Sequence, residues 1–359
     1  MLPEVRYANC GDGYIAYQAI GDGPPDLLVM FAYLTHIEHA WREPNSARFL
    51  GRLADMARVI RFDIRGFGLS DPLRGQPSLP ERMGEITAVL DAVDTRRVAL
   101  LGLWEGAHMA IRYAFEYPER VSALVLYASA ARLTSTPGYD LQLDRATTEA
   151  AVLDLVAHWG DASYDLPFQL LAPSKLEDTA FREWFAELQR LGCSPGRYLD
   201  NAMWALDVDV RDILHAIEVP TLVLHRTGDL LCPIANGKYI AERIPGAQFV
   251  ELDGNDHLPM VGDSDAIADA IEAFLTGRIS RRRRASHVVP IGLRAAGVTR
   301  REFEVLDLVA SGATNTAIAE ELHISIRTVE SHISSLFTKL GSDNRAGLIA
   351  TGVAIRSGA

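Results

Sequence analysis

The feature that most narrows the possible folds is an alternation of short apolar runs with amphipathic stretches along most of the chain. Residues 14–19, 27–31, 59–63, 98–102 and 123–127 have the length and composition of buried strands, and stretches of helical spacing such as 47–57 and 83–93 lie between them. The pattern resumes at 221–225 and 248–252, with a helical stretch at 235–244 between them and another at 265–275 after. Apolar strands separated by helices form a mostly parallel sheet covered on both faces. A largely helical segment, 132–216, interrupts the alternation and carries Trp159, Phe168, Phe181, Trp184, Phe185, Tyr198 and Trp204. An insertion of that size is expected to pack as a lid over the C-terminal edge of the sheet. Its aromatic residues then form the lid's own core and line a cavity beneath it.

At 359 residues the chain exceeds what one hydrophobic core usually holds, so two domains are expected. The boundaries are drawn at 1–275 for the sheet domain, 276–297 for a linker and 298–359 for a small helical domain. Charge divides the same way. From Gly277 onward there are 12 Arg/Lys and 7 Asp/Glu, net +5, while the remainder has 23 and 40, net -17. An acidic body with a basic tail suits a chain whose C-terminus meets a polyanion. The arginines Arg281 to Arg284 in the linker read either as a solvated hinge or as phosphate contacts. Apolar residues at 48% and charged residues at 23% exclude a disordered or fibrous chain. No apolar run reaches 18 residues and no leader pattern opens the chain, so neither a membrane span nor a signal peptide is expected. Cys10, Cys193 and Cys232 are too scattered for a disulfide framework or a metal site. The expectation is a cytoplasmic protein with no cofactor.

From Thr299 the pattern becomes helical in short pieces. Thr299 and Glu302 form a capping-box signature, followed by Phe303, Leu306 and Val309 on one helical face. Gly312 ends that helix, and Thr314 is placed to cap a second with Ala317, Ile318 and Leu322. Ser325 is placed to cap a third, with Val329, Ile333, Leu336 and Leu340 inward and Arg327, Glu330, Ser331, Ser334, Ser335 and Thr338 outward. Gly341 stops it, and a fourth helix starts near Asn344. Two short helices joined tightly, the second with a polar outer face, have helix-turn-helix form. The run of about 50 residues containing REFEVL, NTAIAEEL, Ser325 to His332 and KLG followed by NRA resembles the LuxR-type helix-turn-helix. The resemblance implies double-stranded DNA as partner and a homodimer paired through the fourth helix. It places Thr328 to Ser335 in the major groove, with Glu330, Ser331 and Ser334 facing bases; Arg327, His332, Lys339 and Arg345 are expected to reach phosphates or stabilise helix ends, and Ser325, the cap, belongs to the same expected DNA-binding set. A carboxylate at Glu330 accepts from cytosine and cannot bond guanine acceptors.

Four segments of the large domain resemble the α/β-hydrolase superfamily: RFDIRGFGLSD from Arg61 to Asp71, GLWEG from Gly102 to Gly106, PTLVLHRTGDLLCP with Asp229, and DGNDHLP with His257. The resemblance implies an α/β fold and places Asp229 and His257 as triad acid and base, in the expected chain order. Trp104 then stands at the nucleophile position of the G-x-S-x-G turn. An indole has no oxygen or sulfur with which to attack an acyl carbon. The triad positions Trp104, Asp229 and His257 are therefore expected to be degenerate, with no catalytic set intact and the domain not an enzyme. The dyad is open to three readings: a brace for the pocket, a polar contact for a ligand, or a general base acting without a covalent step. The expected pocket lining is Ala32, Tyr33, His36, Trp104, Glu105, Trp184, Trp204 and His257, while His108 packs on the helix that follows the elbow. The combined expectation is a bacterial transcriptional regulator whose pocket senses a small apolar or aromatic effector. A regulator with a His–Asp enzyme activity and a purely structural dimerisation body are the alternatives.

Overall fold

The computed structural model describes residues 2–31, 34–277, 293, 296–310, 313–322, 324–342, 344, 345, 347–349 and 351. The chain forms two compact units, 1–278 and 279–359. Arg281 to Arg284 of the expected linker lie outside the described residues.

The large unit is built on an eight-stranded sheet in the order β1-β2-β4-β3-β5-β6-β7-β8. The strands are β1 (Arg6–Asn9), β2 (Tyr14–Ile20), β3 (Asp26–Met30), β4 (Arg58–Phe62), β5 (Val98–Leu103), β6 (Val121–Tyr127), β7 (Thr221–Arg226) and β8 (Gln248–Leu252). β2 pairs antiparallel with β1 and β4, and all other pairs are parallel. Central β5 is buried along its whole length, which is why it reads as the unbroken apolar run VALLGL. β1 was not expected: four residues with one buried position carry little pattern, and its pairing with β2 defines it.

Helices α1 (Pro44–Ala54), α2 (Leu79–Ala92), α3 (Gly106–Glu116), α8 (Ala235–Arg243) and α9 (Ser264–Thr276) cover the sheet. The caps follow local chemistry, as at α2, where Ser78 and Glu81 complete a reciprocal capping box. Between β6 and β7 the chain inserts α4 (Arg145–Ala157), α5 (Leu166–Leu171), α6 (Thr179–Gly192) and α7 (Pro195–Ala205). Phe168, Phe181, Trp184 and Phe185 pack within one buried cluster together with Leu101, Leu103 and Tyr127 of the sheet. The insertion is thus both a lid and part of the core.

The small unit is helical. Its first helix, Arg300–Ala310, starts at the expected capping box, in which Glu302 accepts from Thr299 N at 2.7 Å. The second is Asn315–Leu322, where Thr314 Oγ1 accepts from Ala317 N, and the third is Ile326–Leu340, capped by Ser325 and ended by Gly341 in the left-handed region. Phe303, Leu306, Val309, Ile318, Val329, Ile333, Leu336 and Leu348 are buried together.

Two glycines set how closely α3 lies on the sheet. A Cβ at Gly106 would stand 2.2 Å from Met30 O and 2.7 Å from Phe31 O, and one at Gly102 would stand 2.6 Å from Ala107 Cα. These neighbours are backbone and cannot step aside. Gly106→Ala is expected to destabilise the large unit by about 3 kcal/mol or more, through forced overpacking. Gly84→Ala, inside α2 with open space at the Cβ position, is expected to stabilise by up to about 1 kcal/mol. Urea midpoints of the two variants check the contrast.

Candidate active site

The turn between β5 and α3 holds Trp104 at φ 51°, in the left-handed region that non-glycine residues seldom occupy. It is fastened at both ends, since Trp104 N donates to Tyr127 O at 3.2 Å and Ala107 N donates to Trp104 O at 3.0 Å. The indole is half-buried and meets the imidazole of His257 edge to face, with ring centroids 5.0 Å apart and planes at 89°.

Asp229 sits in the loop after β7, with a side chain sealed from solvent. Its Oδ1 accepts from Leu231 N at 3.0 Å and Cys232 N at 2.9 Å, and its Oδ2 bonds His257 Nδ1 at 2.8 Å. Two devices hold the His257 loop. Leu171 O, at the end of α5, accepts from His257 N at 2.9 Å and Leu258 N at 3.0 Å. The buried guanidinium of Arg226 donates to the carbonyls of Asp256, Leu258 and Val261 at 2.6, 3.1 and 2.5 Å. With Nδ1 committed to Asp229, Nε2 is the imidazole nitrogen left for other chemistry.

Above this dyad, between lid and sheet, lies a cavity of about 640 Å³. Its wall is mainly apolar and includes Phe31, Leu103, Tyr127, Leu170, Phe185 and Leu231, which suits a ligand with an apolar body. His36, Trp104, Glu105, Trp184 and His257 all line it. Trp184 is locked in place, stacked on His39 with centroids 5.7 Å apart and donating from Nε1 to His39 O at 3.2 Å. Ala32 and Tyr33 lie outside the described residues. Trp204, expected at the wall, packs instead against the core, because α7 presents Tyr198, Asn201, Ala202 and Ala205 to the cavity. Those four share one helical face, and position 204 falls beside it. His108 is buried against Ala130 O at 2.9 Å, and burial pulls its imidazole down to about 4.

Sequence reasoning passed over Arg61, which also lines the cavity. The signal was present: a charged residue between Ile60 and Phe62 in a strand that otherwise reads as fully buried. The surrounding motif is a structural clamp. Asp63 accepts from Ile37 N at 3.1 Å and Leu69 N at 3.0 Å, and a Cβ at Gly68 (φ 51°) would collide with its carboxylate.

Among the described residues no group of three or more His, Cys, Asp or Glu is arranged to hold a metal ion, and no helix is long and apolar enough to cross a membrane.

In the small unit, Ser325, Arg327, Glu330, Ser331 and Ser334 are exposed, and the last four share one stripe of the third helix. Thr328 is tied to the cap, its N donating to Ser325 Oγ at 3.1 Å, and His332 is half-buried. Other expected DNA-facing residues turn inward. Ser335 donates to Glu302 Oε1 at 2.5 Å, and Lys339 Nζ reaches both Glu302 oxygens at 2.8 and 2.7 Å. These donors outweigh the cost of burial and hold the Glu302 carboxyl at about 2. Arg345 donates to Asn315 Oδ1 at 2.8 Å and to Ala313 O at 2.5 Å, binding the fourth segment to the second helix.

Glu105, next to the strained turn, has a buried Oε2 with no hydrogen-bond partner. Burial pushes its carboxyl up to about 7. A raised carboxyl binds its proton more tightly in the folded state, so stability falls as pH rises from about 4.5 to about 7 and then levels off. Glu105→Gln is therefore expected to raise Tm at pH 8, with the advantage shrinking to nothing near pH 4. Thermal melts at the two pH values check this, and an equal effect at both would count against a protonated Glu105.

Comparison with known proteins bears on these sites. Residues 35–263 match the family model of the alpha/beta hydrolase fold, and residues 296–351 match that of bacterial regulatory proteins of the luxR family. The poly(3-hydroxyalkanoate) depolymerase of Ectopseudomonas oleovorans is 31% identical over 254 residues, 67% of this chain and 82% of that one. The 3-oxoadipate enol-lactonase 1 of Acinetobacter baylyi is 24% identical over 261 residues, 71% of this chain and 91% of that one. Among solved structures, a hydrolase from Pseudomonas aeruginosa PA01 superposes with a TM-score of 0.62 at 27% identity, covering 76% of this chain and 98% of that one. The expectation that the large domain is not an enzyme is corrected by these relatives, which are themselves named as enzymes. Its flaw is physical as well: an indole at the elbow removes a covalent step, whereas a buried His–Asp pair retains acid–base chemistry. The chain belongs to the α/β-hydrolase fold family, and its hydrolase domain is fused to a LuxR-type helix-turn-helix domain.

Proposed function

We propose that this chain is a bifunctional bacterial transcription regulator. The large domain turns over a small molecule with an apolar body through His257 and Asp229, and the small domain binds double-stranded DNA as a homodimer. The observation that carries this reading is the 2.8 Å bond between His257 Nδ1 and Asp229 Oδ2 at the base of a lidded cavity.

The chemistry runs through water. Trp104 offers no atom for an acyl-enzyme bond, so His257 Nε2 takes a proton from a water molecule and the resulting hydroxide adds to the acyl carbon. Asp229 keeps the imidazole oriented and stabilises the imidazolium that forms. When the tetrahedral intermediate collapses, His257 returns the proton to the leaving oxygen. One water is consumed, and an acid and an alcohol are released. The indole serves as a rigid apolar floor that holds the acyl body. The relatives' names, a depolymerase and an enol-lactonase, make esters and lactones the first substrates to test.

Occupancy of the cavity alters DNA binding only if the bound molecule favours one arrangement of the protein over another. At the DNA, the exposed stripe of the third helix supplies base contacts through Glu330, Ser331 and Ser334, with Arg327 at a phosphate.

His257→Ala is expected to lower turnover of a responsive ester or lactone by about 10²–10⁴-fold, the usual worth of a general base. Trp104→Ala is expected to keep kcat, since no covalent step uses the indole, and to raise KM through loss of the apolar floor. Steady-state kinetics on a panel of esters and lactones decide the matter: no turnover by the wild-type protein, or a rate indifferent to His257→Ala, sinks the enzymatic half. For the regulatory half, Arg327→Ala is expected to weaken binding on all sequences and to reduce the salt slope by about 1. Glu330→Ala is expected to relax base preference at one position of each half-site. Footprinting and salt titration on DNA upstream of its own gene read both effects.

A further inference from the structure

Buried arginines in this protein are paired as a rule. Arg52 bonds Asp269 at 2.7 Å and Glu272 at 2.6 Å, Arg82 bonds Glu85 at 2.8 Å, Arg65 bonds Asp12 at 2.5 Å, and Arg226 caps three carbonyls. Arg61 breaks the rule. Its side chain comes from the middle of β4, between Gln18 of β2 and Val29 of β3, and the residue is 3% exposed. Its Nε and Nη1 have no hydrogen-bond partner, yet the residue lines the cavity.

Two groups ease its charge without satisfying its donors. The Phe31 ring centroid lies 5.5 Å from the guanidinium carbon, a distance at which a cation is attracted to the ring face. Asp63 is near enough to favour the charged form, but its oxygens are taken up by Ile37 N and Leu69 N. Burial brings the guanidinium down to about 10, which leaves it charged at neutral pH. A buried charge with open donors is unfavourable unless an acceptor is supplied. Nothing else in the strand requires an arginine, since its neighbours Val59, Ile60 and Phe62 are apolar and buried.

We propose that Arg61 is the anion-recognition residue of the cavity, and that the molecule bound there has an apolar body and a terminal carboxylate. The apolar wall takes the body, and the guanidinium of Arg61, a lining residue, takes the acid head. As a statement about substrate, this rests on the hydrolytic reading of the same cavity; as a statement about binding, it stands without it. The substrate class is then an ester or lactone whose acyl chain ends in a carboxylate.

Binding of decanoate and of its neutral analogue decanamide to the full-length protein, measured by calorimetry, tests the binding statement. Decanoate is expected to bind about 10–100-fold more tightly, the worth of a charge-assisted contact. In Arg61→Met the preference is expected to vanish, in Arg61→Lys to survive in part, and the Tm of Arg61→Met to stay level or rise. Equal affinity of the wild-type protein for the two ligands overturns the proposal, even if Arg61→Met fails to fold. So does a preference that persists in Arg61→Met, or a fall in its Tm with ligand preference unchanged, which marks a purely structural arginine. Tighter binding of octyl phosphate than of decanoate overturns the carboxylate assignment. For turnover, monoethyl suberate is expected to be preferred over diethyl suberate in kcat/KM, and the preference to be lost in Arg61→Met. If neither ester is hydrolysed while decanoate is still preferred, the hydrolytic reading fails and the carboxylate site stands.

Discussion

The close approach of α3 to the sheet is the constraint on which the rest of the large domain depends. Gly102 and Gly106 have no Cβ, so the helix comes down onto the backbone of Met30 and Phe31 and the turn between β5 and α3 must be sharp. That sharpness forces Trp104 to φ 51° and lifts its indole toward the imidazole of His257. Strain of this kind persists only where the surroundings over-determine it. Here both flanking hydrogen bonds and the packed helix do so.

Around that turn, fixed polar contacts hold the second half of the site. Asp229 is oriented by two backbone N–H groups, and Arg226 and Leu171 hold the His257 loop by its backbone. The dyad geometry is thus set by β7, the lid and the loop after β8 together. The cavity above it has a mainly apolar wall that also carries the carboxyl of Glu105 and the guanidinium of Arg61, each with buried polar atoms left without a partner. Open polar groups inside a packed protein are costly. Both of these residues line the cavity.

The small domain shows how a shared sequence pattern divides into scaffold and surface. Ser335 and Lys339 sit on the helix expected to read DNA, yet both are bound to Glu302, the same carboxylate that caps the first helix. Arg345 likewise joins segments through Asn315 and Ala313. Among the described residues of that helix, Arg327, Glu330, Ser331 and Ser334 stay exposed along one stripe.

Much of this was legible in the linear chain. Apolar runs and helical spacing marked seven of the eight strands, because burial on both faces leaves a composition that local reading detects. The order of the elbow, acid and base segments identified the dyad, and the caps at Thr299, Thr314 and Ser325 came from local chemistry alone. The inference that a missing nucleophile means no enzyme went too far, because one side chain decides a covalent step and not the whole of acid–base chemistry. Other features needed the third dimension. Whether Trp204 or Tyr198 faces the cavity depends on the rotation of α7 against the sheet, and whether Lys339 is free depends on a carboxylate 37 residues away. That Arg61 has neighbours but no acceptor is a fact about the packing of separate strands and loops. Local order along a chain dictates elements and their caps, whereas the pairing of polar groups is settled only when distant segments meet and exclude water.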